Sequence, residues 1–198
     1  MNNTQNNKKT YISQEKGLLI TILILACLLG AFLRIYLLND QVLLDDEWHS
    51  MAFVIGKPFI WILTHFSVPS GFTSIPLNIH DWILLNSIGW SETWLRLPSV
   101  LLGLICLIFG PILAKSIIGI RAAIILSLLI AISPILIFYS RLNRPYSVVA
   151  CLGFLGVLAA ARWMRFGKIR DGLGFAICGV LAVYWHPFAA ITVGTIAA

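Results

Sequence analysis

The 198-residue sequence is 59% hydrophobic and only 11% charged, and its mean hydropathy is +0.91. A soluble domain carries about 25% charged residues, so this composition excludes an ordinary soluble domain and indicates an integral membrane protein. The formal net charge is +6, but the basic residues lie between long apolar runs, so nucleic-acid binding is not expected.

The first element in chain order is a membrane anchor. Residues 1–16 are polar and predict a cytoplasmic tail, and the apolar run 17–38 is about as long as a bilayer is thick. A cleaved signal peptide usually has a shorter apolar core and a small-residue cleavage site, so an anchor is the better interpretation. Four later runs have the length and apolar character of spanning helices: 95–114, 122–139, 146–164 and 173–192. The sequence therefore predicts an all-α integral membrane protein with about five transmembrane helices.

A long first external loop, residues 39–94, separates the first two predicted spans. It contains two amphipathic stretches, 48–66 and 77–90, which are broken by Lys57-Pro58 and by the loop Val68-Pro69-Ser70-Gly71. Both stretches are short and carry polar residues, so we expect helices that lie at the membrane surface rather than spans.

The distribution of charge predicts the orientation. With the N-terminus inside, the cytoplasmic side holds nine of the fourteen basic residues, and the opposite side holds six of the eight acids. The nine basic residues are Lys8, Lys9, Lys16, Lys115, Arg121, Arg162, Arg165, Lys168 and Arg170. The titratable chemistry is therefore expected on the external face, and the spans are nearly free of charge apart from Arg34.

The external loop begins with an acidic motif, Asp45-Asp46-Glu47-Trp48. Acids in such a loop are most often solvated, or cap the next helix. These acids, however, follow the first span within a few residues, and Trp48 suits the membrane interface. A partly desolvated carboxylate gains basicity, which suits a general base.

Basic residues form a second motif in the short link between the third and fourth predicted spans, where Arg141 and Arg144 precede Tyr146. Snorkelling arginines in an aromatic belt are the ordinary interpretation. Two arginines in a tight external loop run against the positive-inside bias, and arginine grips a phosphate by paired hydrogen bonds. Arg96, at the start of the second span, is either an interface anchor or a third phosphate ligand. His186 lies within the last span, where a packing role is expected.

The order of these parts resembles the GT-C class of membrane glycosyltransferases, and most closely its protein mannosyltransferase, aminoarabinose transferase and RgtA/B/C/D-like group. The likeness covers about residues 30–190. It rests on the acidic motif, on Ile75-Pro76-Leu77, on Trp94-Leu95-Arg96-Leu97-Pro98-Ser99, on Ser133-Pro134, on the segment from Tyr139 to Tyr146, and on His186-Pro187-Phe188.

The resemblance implies transfer of a sugar from a polyprenyl-phosphate donor to a hydroxyl of a lipid, glycan or protein acceptor, with inversion, at the external or periplasmic face of the plasma membrane. Asp46 then matches the general base, with Glu47 as its partner in acceptor or metal binding and Asp45 as a second candidate base. Arg144 and Tyr146 match the donor-binding residues, and Arg141 or Arg96 supplies further positive charge.

Two departures qualify the likeness. Many relatives carry an acid two residues before the matched arginine, where this chain has Leu142, so dependence on a divalent metal stays open and no metal ligand is assigned. Relatives are also several hundred residues long, so residues 17–198 are expected to be an amino-terminal portion of such a domain, inactive alone. The alternatives are a subunit of a multi-span transporter or flippase, and a non-catalytic structural membrane subunit.

Overall fold

The computed structural model describes residues 2–65, 74–89 and 91–197, and these residues form helices and connecting turns without any strand. The loop predicted at 68–71 lies outside the described residues. The helices are α1 (Asn2–Ile35), α2 (Asp45–Val54), α3 (Phe59–Thr64), α4 (Ile75–Ser87), α5 (Glu92–Leu95), α6 (Leu97–Ile118), α7 (Ile120–Ile132), α8 (Pro134–Ser140), α9 (Tyr146–Phe166), α10 (Ile169–Trp185) and α11 (Ala189–Ala197). The all-α prediction is confirmed.

Two helices of the described chain, α6 and α9, are singly long and apolar enough to cross a membrane. A third span results if α7 and α8, which meet at an angle of 57°, are counted as one broken helix. The apolar part of α1, Leu19–Ile35, is shorter, and in α1 it continues without a break from the polar segment that begins at Asn2. The described residues therefore form an all-helical structure with two or three candidate spans, which is consistent with an α-helical membrane protein, and the count of five stays a prediction.

The predicted span 173–192 is wrong as a single helix. α10 ends at Trp185, and α11 begins only at Ala189. Pro187 disfavours helical dihedrals at the residue before it, and His186 is accordingly extended, with φ −158° and ψ 120°.

The predicted span 122–139 is also interrupted, at Ser133. Pro134 has no N–H to donate to the carbonyl of Ile130, so the helix loses a bond at this point. The Arg34 side chain, 1% exposed, fills the gap: its Nη2 donates to the carbonyl of Ile130 at 2.9 Å and its Nη1 to those of Gly30 at 2.8 Å and Ala131 at 3.4 Å. The one charge expected within a span thus neutralises carbonyls at a helix break.

The surface stretches form helices near the predicted positions. The first is divided into α2 and α3 by the break at Lys57-Pro58, as expected. The second is α4, which begins at Ile75, and the hydroxyl of its N-cap, Ser74, accepts a hydrogen bond from the N–H of Leu77 at 3.4 Å. These helices, of 10, 6 and 13 residues, are too short to cross a bilayer, which needs roughly 20 residues.

The long helices pack in the order α1, α7, α6, α9, α10. Small residues permit the close approach of α1 to α6 and α7, and of α6 to α8. A Cβ on Gly30 would come within 2.6 Å of Leu107 Cδ2 and 3.0 Å of Ala131 Cα, and a Cβ on Gly103 would overlap the hydroxyl of Ser140. Close backbone approach at small residues is typical of helix packing in membranes.

The charges are segregated to the two ends of this bundle. At one end, here called the basic end, Arg162 Nε bonds Asp171 Oδ1 at 3.1 Å and Arg165 donates to the carbonyl of Ile117 at 2.7 Å. The turns between α6 and α7 and between α9 and α10 therefore lie side by side. At the opposite, acidic end, α6 and α9 begin, and this end holds Asp40, Asp45, Asp46, Glu47, Asp81 and Glu92. The segregation agrees with the expected topology, and which end is cytoplasmic remains a prediction.

Candidate functional site

Glu47 is the centre of the acidic end. It lies in the first turn of α2, and its side chain is 0% exposed. One carboxylate oxygen accepts from Arg96 Nε at 2.9 Å and from the N–H of Asn143 at 2.7 Å, and the other from Arg96 Nη2 and the N–H of Leu44, each at 2.9 Å. A buried carboxylate with four donors is fully satisfied, so Glu47 ties α2, α6 and the loop before α9 together.

Arg96 is equally buried and equally satisfied. Besides its two bonds to Glu47, it donates to the carbonyls of Leu38 at 3.1 Å, Gln41 at 2.7 Å and Val42 at 3.1 Å. All five N–H groups of the guanidinium are therefore occupied. This geometry gives Arg96 and Glu47 the role of a buried structural pair, and it leaves Arg96 no donor for a phosphate and Glu47 no exposed oxygen for an acceptor or a metal.

Arg141 is also engaged with the backbone. Its Nη1 donates to the carbonyls of Leu33 at 3.1 Å and Tyr36 at 2.7 Å, its Nη2 to that of Leu37 at 3.4 Å, and its Nε to Gln41 Oε1 at 3.1 Å. These carbonyls lie at the end of α1, where the last carbonyls lack helical partners and a cation is favourable. Arg141 therefore caps α1, which is not the phosphate contact expected for it.

Arg144 and Asp46 form the pair that the sequence motifs predict as a site. Arg144 Nη2 is in direct contact with Asp46 Oδ1, across 98 residues of sequence. The Arg144 side chain is 4% exposed, whereas that of Asp46 is 55% exposed, so the carboxylate lies at the surface above the guanidinium. Arg144 Nε has no hydrogen-bond partner.

Two serines fix the backbone beneath Arg144. Ser99 Oγ donates to the carbonyl of Arg144 at 2.9 Å, and Ser147 Oγ donates to the carbonyl of Ser99 at 3.0 Å. Both bonds are buried, so the loop before α9 is held against the first turn of α6. The guanidinium is consequently positioned by the bundle rather than by a free loop.

A second buried acid, Asp81, lies beside this pair. It projects from α4 and is 0% exposed. Its Oδ2 accepts from Ser50 Oγ and from Asn143 Nδ2, each at 3.0 Å, and its Oδ1 has no partner. Burial raises the pKa of Asp81 from its ordinary value of 3.8 to about 7, against the lowering effect of the two hydrogen bonds. The negative charge of Glu47 raises the pKa further, and the positive charge of Arg144 lowers it.

Unpaired polar atoms are concentrated around Asp81. The side chain of Asn78, one turn before Asp81 and 0% exposed, has a partner for neither its oxygen nor its nitrogen, and Asn143 Oδ1 has none either. Buried polar groups are normally paired, and their exceptions often mark functional sites.

The remaining predicted site residues lie at the rim. Asp45 is exposed in the first turn of α2, and its backbone carbonyl bonds His49. Tyr146 is 40% exposed, and its ring centroid lies 5.2 Å from that of Tyr139 and 6.3 Å from that of His186. His186, expected to be a packing residue, is half-buried at the break after α10. The aromatic rings thus line the edge of the acidic end nearest α10.

The polar cluster of Asp81, Asn78, Ser50 and Asn143 was not predicted from the sequence. A periodicity signal was available for three of its members. Asn78 and Asp81 share a face of α4 with Leu77 and Leu84, and Ser50 shares a face of α2 with Met51 and Val54, all of them buried. Polar residues at positions that should be apolar indicate a buried polar network. The position of Asn143 in a loop gave no such indication.

Among the described residues, no group of three or more histidine, cysteine, aspartate or glutamate side chains is arranged to hold a metal ion. Comparison of the chain with protein-family models, curated proteins and solved structures gives no match.

Proposed function

We propose that this protein is a membrane glycosyltransferase, or part of one, that uses a polyprenyl-phosphate sugar as donor. The observation that carries the proposal is the contact between Arg144 and Asp46. The resemblance assigns one of these residues to the donor phosphate and the other to the acceptor hydroxyl. Their contact at one end of a membrane bundle supports this assignment, because the two substrates must meet at the reacting carbon.

The pair suggests how donor binding prepares the base. The partial desolvation expected for Asp46 is not found, since its side chain is 55% exposed, and the contact with Arg144 occupies its Oδ1. A donor phosphate competes for the same N–H groups of Arg144, and paired bonds to phosphate are strong. Once Arg144 turns to the phosphate, Oδ1 of Asp46 is released and can accept the proton of the acceptor hydroxyl.

The proposed reaction is a single displacement. The acceptor oxygen attacks the anomeric carbon while the bond from that carbon to the phosphate oxygen breaks. Asp46 takes the proton of the attacking hydroxyl. The polyprenyl phosphate leaves with the electron pair of the broken bond, and Arg144 stabilises its added negative charge. In this arrangement the roles of Glu47, Arg96 and Arg141 are structural. The ring of Tyr146 stacks on the sugar or forms a hydrogen bond with it.

The test is sugar transfer from a radiolabelled polyprenyl-phosphate hexose in nanodiscs. It uses both the 198-residue chain and the longest product that its locus encodes. Asp46→Asn keeps the shape of the side chain and removes its basicity, so transfer should fall at least about 100-fold, the usual contribution of a general base. Asp45→Asn is the matched control, since it changes the neighbouring exposed acid. Loss of transfer in Asp45→Asn alone would identify Asp45, rather than Asp46, as the general base. Absence of transfer by both preparations of the wild-type protein would reject the proposal.

A transporter or flippase subunit is the second candidate, and one observation favours it. The helix breaks at Ser133-Pro134 and at His186-Pro187 resemble the discontinuous helices of transporters. A flippase would move a fluorescent lipid phosphate between leaflets of proteoliposomes without consuming it. That result, with no sugar transfer, would favour the second candidate.

A further inference from the structure

Asp81 is a titratable group that the proposed reaction does not use. It cannot touch a substrate, because its side chain is 0% exposed. It is nevertheless close to the reacting pair: Asn143, which donates to its Oδ2 at 3.0 Å, is the residue immediately before Arg144. Any charge that Asp81 carries therefore acts directly on the place where an anion would bind.

The surroundings leave Asp81 poorly compensated as an anion. Its Oδ2 has two neutral donors, Ser50 and Asn143, while its Oδ1 has none. The nearest charges oppose each other, since Glu47 disfavours ionisation of Asp81 and Arg144 favours it. Glu47 is already committed to Arg96, and Arg144 to Asp46.

Other titratable groups lie on the elements packed against α4. His80, on α4 itself, bonds the carbonyl of Trp94 at 3.0 Å, and burial lowers its pKa. The rest are Asp45, Asp46 and His49 on α2, Lys57 and His65 next to α3, Glu92 on α5, and Arg170, Asp171 and Tyr184 on α10.

We propose that Asp81 is a proton-binding residue of the anion site, so that an anion binds at Arg144 together with one proton taken up by Asp81. The identity of the natural anion, a polyprenyl phosphate, rests on the proposed function; the coupling between anion and proton does not. The physical basis is that an anion at Arg144 adds a negative charge near Asp81 while Asp46, the partner it displaces, stays on the first turn of α2, so ionisation of Asp81 is disfavoured.

The direction and the pH range follow from the same charges. The pKa of Asp81 is about 7 without an anion, and binding of an anion at Arg144 moves it upward. Between these two values the free protein is ionised at Asp81 and the bound protein is protonated. Anion affinity therefore falls as the pH rises above 7, by up to about tenfold per pH unit while one proton is linked.

The experiment measures binding of two probes to the purified protein in nanodiscs between pH 6.5 and 8.5. One probe is a short-chain polyprenyl phosphodiester, and the other is sulfate; neither titrates in this range. Proton uptake on saturation is read with an indicator dye in weak buffer. We expect the dissociation constant of each probe to rise at least about fivefold across the range, with uptake approaching one proton per site.

The comparison of variants assigns the proton. Asp81→Asn is fixed in the neutral form, so its affinity should be independent of pH and no proton should be taken up. Glu92→Gln, which changes another acid of the same end, should retain the wild-type slope. A wild-type dissociation constant that changes less than about twofold over two pH units, or a slope that persists in Asp81→Asn, would overturn the proposal.

The two probes separate this inference from the proposed function. Proton-linked sulfate binding without phosphodiester binding or sugar transfer would support the coupling and reject the glycosyltransferase. Sugar transfer by a protein whose affinity for both probes is independent of pH would support the glycosyltransferase and reject the coupling. If Asp81→Asn does not fold, Ser50→Ala provides the second test: removal of one hydrogen bond to Oδ2 should raise the pKa of Asp81 and move the pH profile upward.

Discussion

Removal of one partner of the Glu47–Arg96 pair should strongly destabilise the fold. Glu47→Gln leaves the guanidinium of Arg96 buried at 0% exposure without a counter-charge. It also places an amide against an N–H donor where the carboxylate accepted four hydrogen bonds. Breaking a buried pair in this way costs about 3–5 kcal/mol. Arg96→Met should destabilise the fold by a similar amount, because it leaves the Glu47 carboxylate buried without a counter-charge. It also removes the donors to the carbonyls of Leu38, Gln41 and Val42.

A double-mutant cycle uses the single variant Glu47→Met, which removes the carboxylate as Glu47→Gln does, together with Arg96→Met. The double variant Glu47→Met/Arg96→Met should be more stable than the sum of these two single effects predicts. It removes both charges from the interior, and hydrophobic replacement of a buried pair is often nearly neutral. We expect a coupling energy of at least about 2 kcal/mol in a double-mutant cycle. The unfolding free energy would be measured from tryptophan fluorescence in mixed detergent micelles with increasing SDS.

The Arg162–Asp171 pair provides the matched control. Its side chains are 12% and 10% exposed, and it lies at the opposite, basic end of the bundle. Its better access to water should reduce the coupling energy to about 1 kcal/mol. Additive effects at Glu47 and Arg96, within about 0.5 kcal/mol, would show that the two residues do not form the buried pair described here.

Three further predictions concern other parts of the chain. Between pH 4 and 7 the folded state holds a proton on Asp81 that the unfolded state has lost, so the free energy of unfolding should fall as the pH rises to about 7 and then level off. The difference between the ordinary pKa of 3.8 and the folded-state pKa of about 7 corresponds to about 4 kcal/mol. Asp81→Asn should remove this pH dependence. Because its two hydrogen bonds are weakened by about 1 kcal/mol each, the free energy of unfolding at pH 8 should rise by only about 2 kcal/mol, measured by the same SDS titration. An unchanged pH dependence in the variant would contradict this. Gly103→Ala should destabilise by about 1–3 kcal/mol because its Cβ overlaps Ser140, whereas Gly153→Ala, in open space within α9, should not, and equal melting temperatures for the two would refute the close approach. In a variant without the native cysteines, a membrane-impermeant maleimide should label Asn86→Cys from outside the cell but not Lys168→Cys, and the reverse pattern would invert the topology.

The sequence predicted those features whose causes are local. The break at Lys57-Pro58 follows from proline geometry, and the second surface helix was predicted at 77–90, within two or three residues of the observed α4 at Ile75–Ser87. Proline also accounts for the break at Ser133-Pro134 and the one after Trp185, but there the apolar runs on both sides were long enough to suggest continuous spans. A hydropathy profile does not reveal such a break, because the side chains remain apolar while the backbone hydrogen bonds of the helix are interrupted.

The roles of the arginines could not be predicted in this way. An arginine beside a tight turn has the same sequence context whether it binds a ligand or the end of a distant helix. The partner carbonyls of Arg141 lie 104 to 108 residues away, and those of Arg34 in α7 lie 96 and 97 residues away. Only the packing of α1 against α7 and α8 brings them together.

This distribution of partners also explains why the acidic end tolerates so many arginines against the positive-inside bias. Arg34, Arg96 and Arg141 each direct N–H groups at carbonyls left unpaired by a helix break, a turn or a helix end, so their charge is absorbed by backbone dipoles. Of the arginines described at this end, Arg144 differs, since its side-chain bond is to a surface carboxylate and its Nε is unpaired. A carboxylate 55% exposed to water can be exchanged for another anion at small cost, whereas a buried helix carbonyl cannot. The arginine that can exchange its partner is therefore the one suited to bind a ligand, and Asp46, the partner it would release, is the group suited to act next.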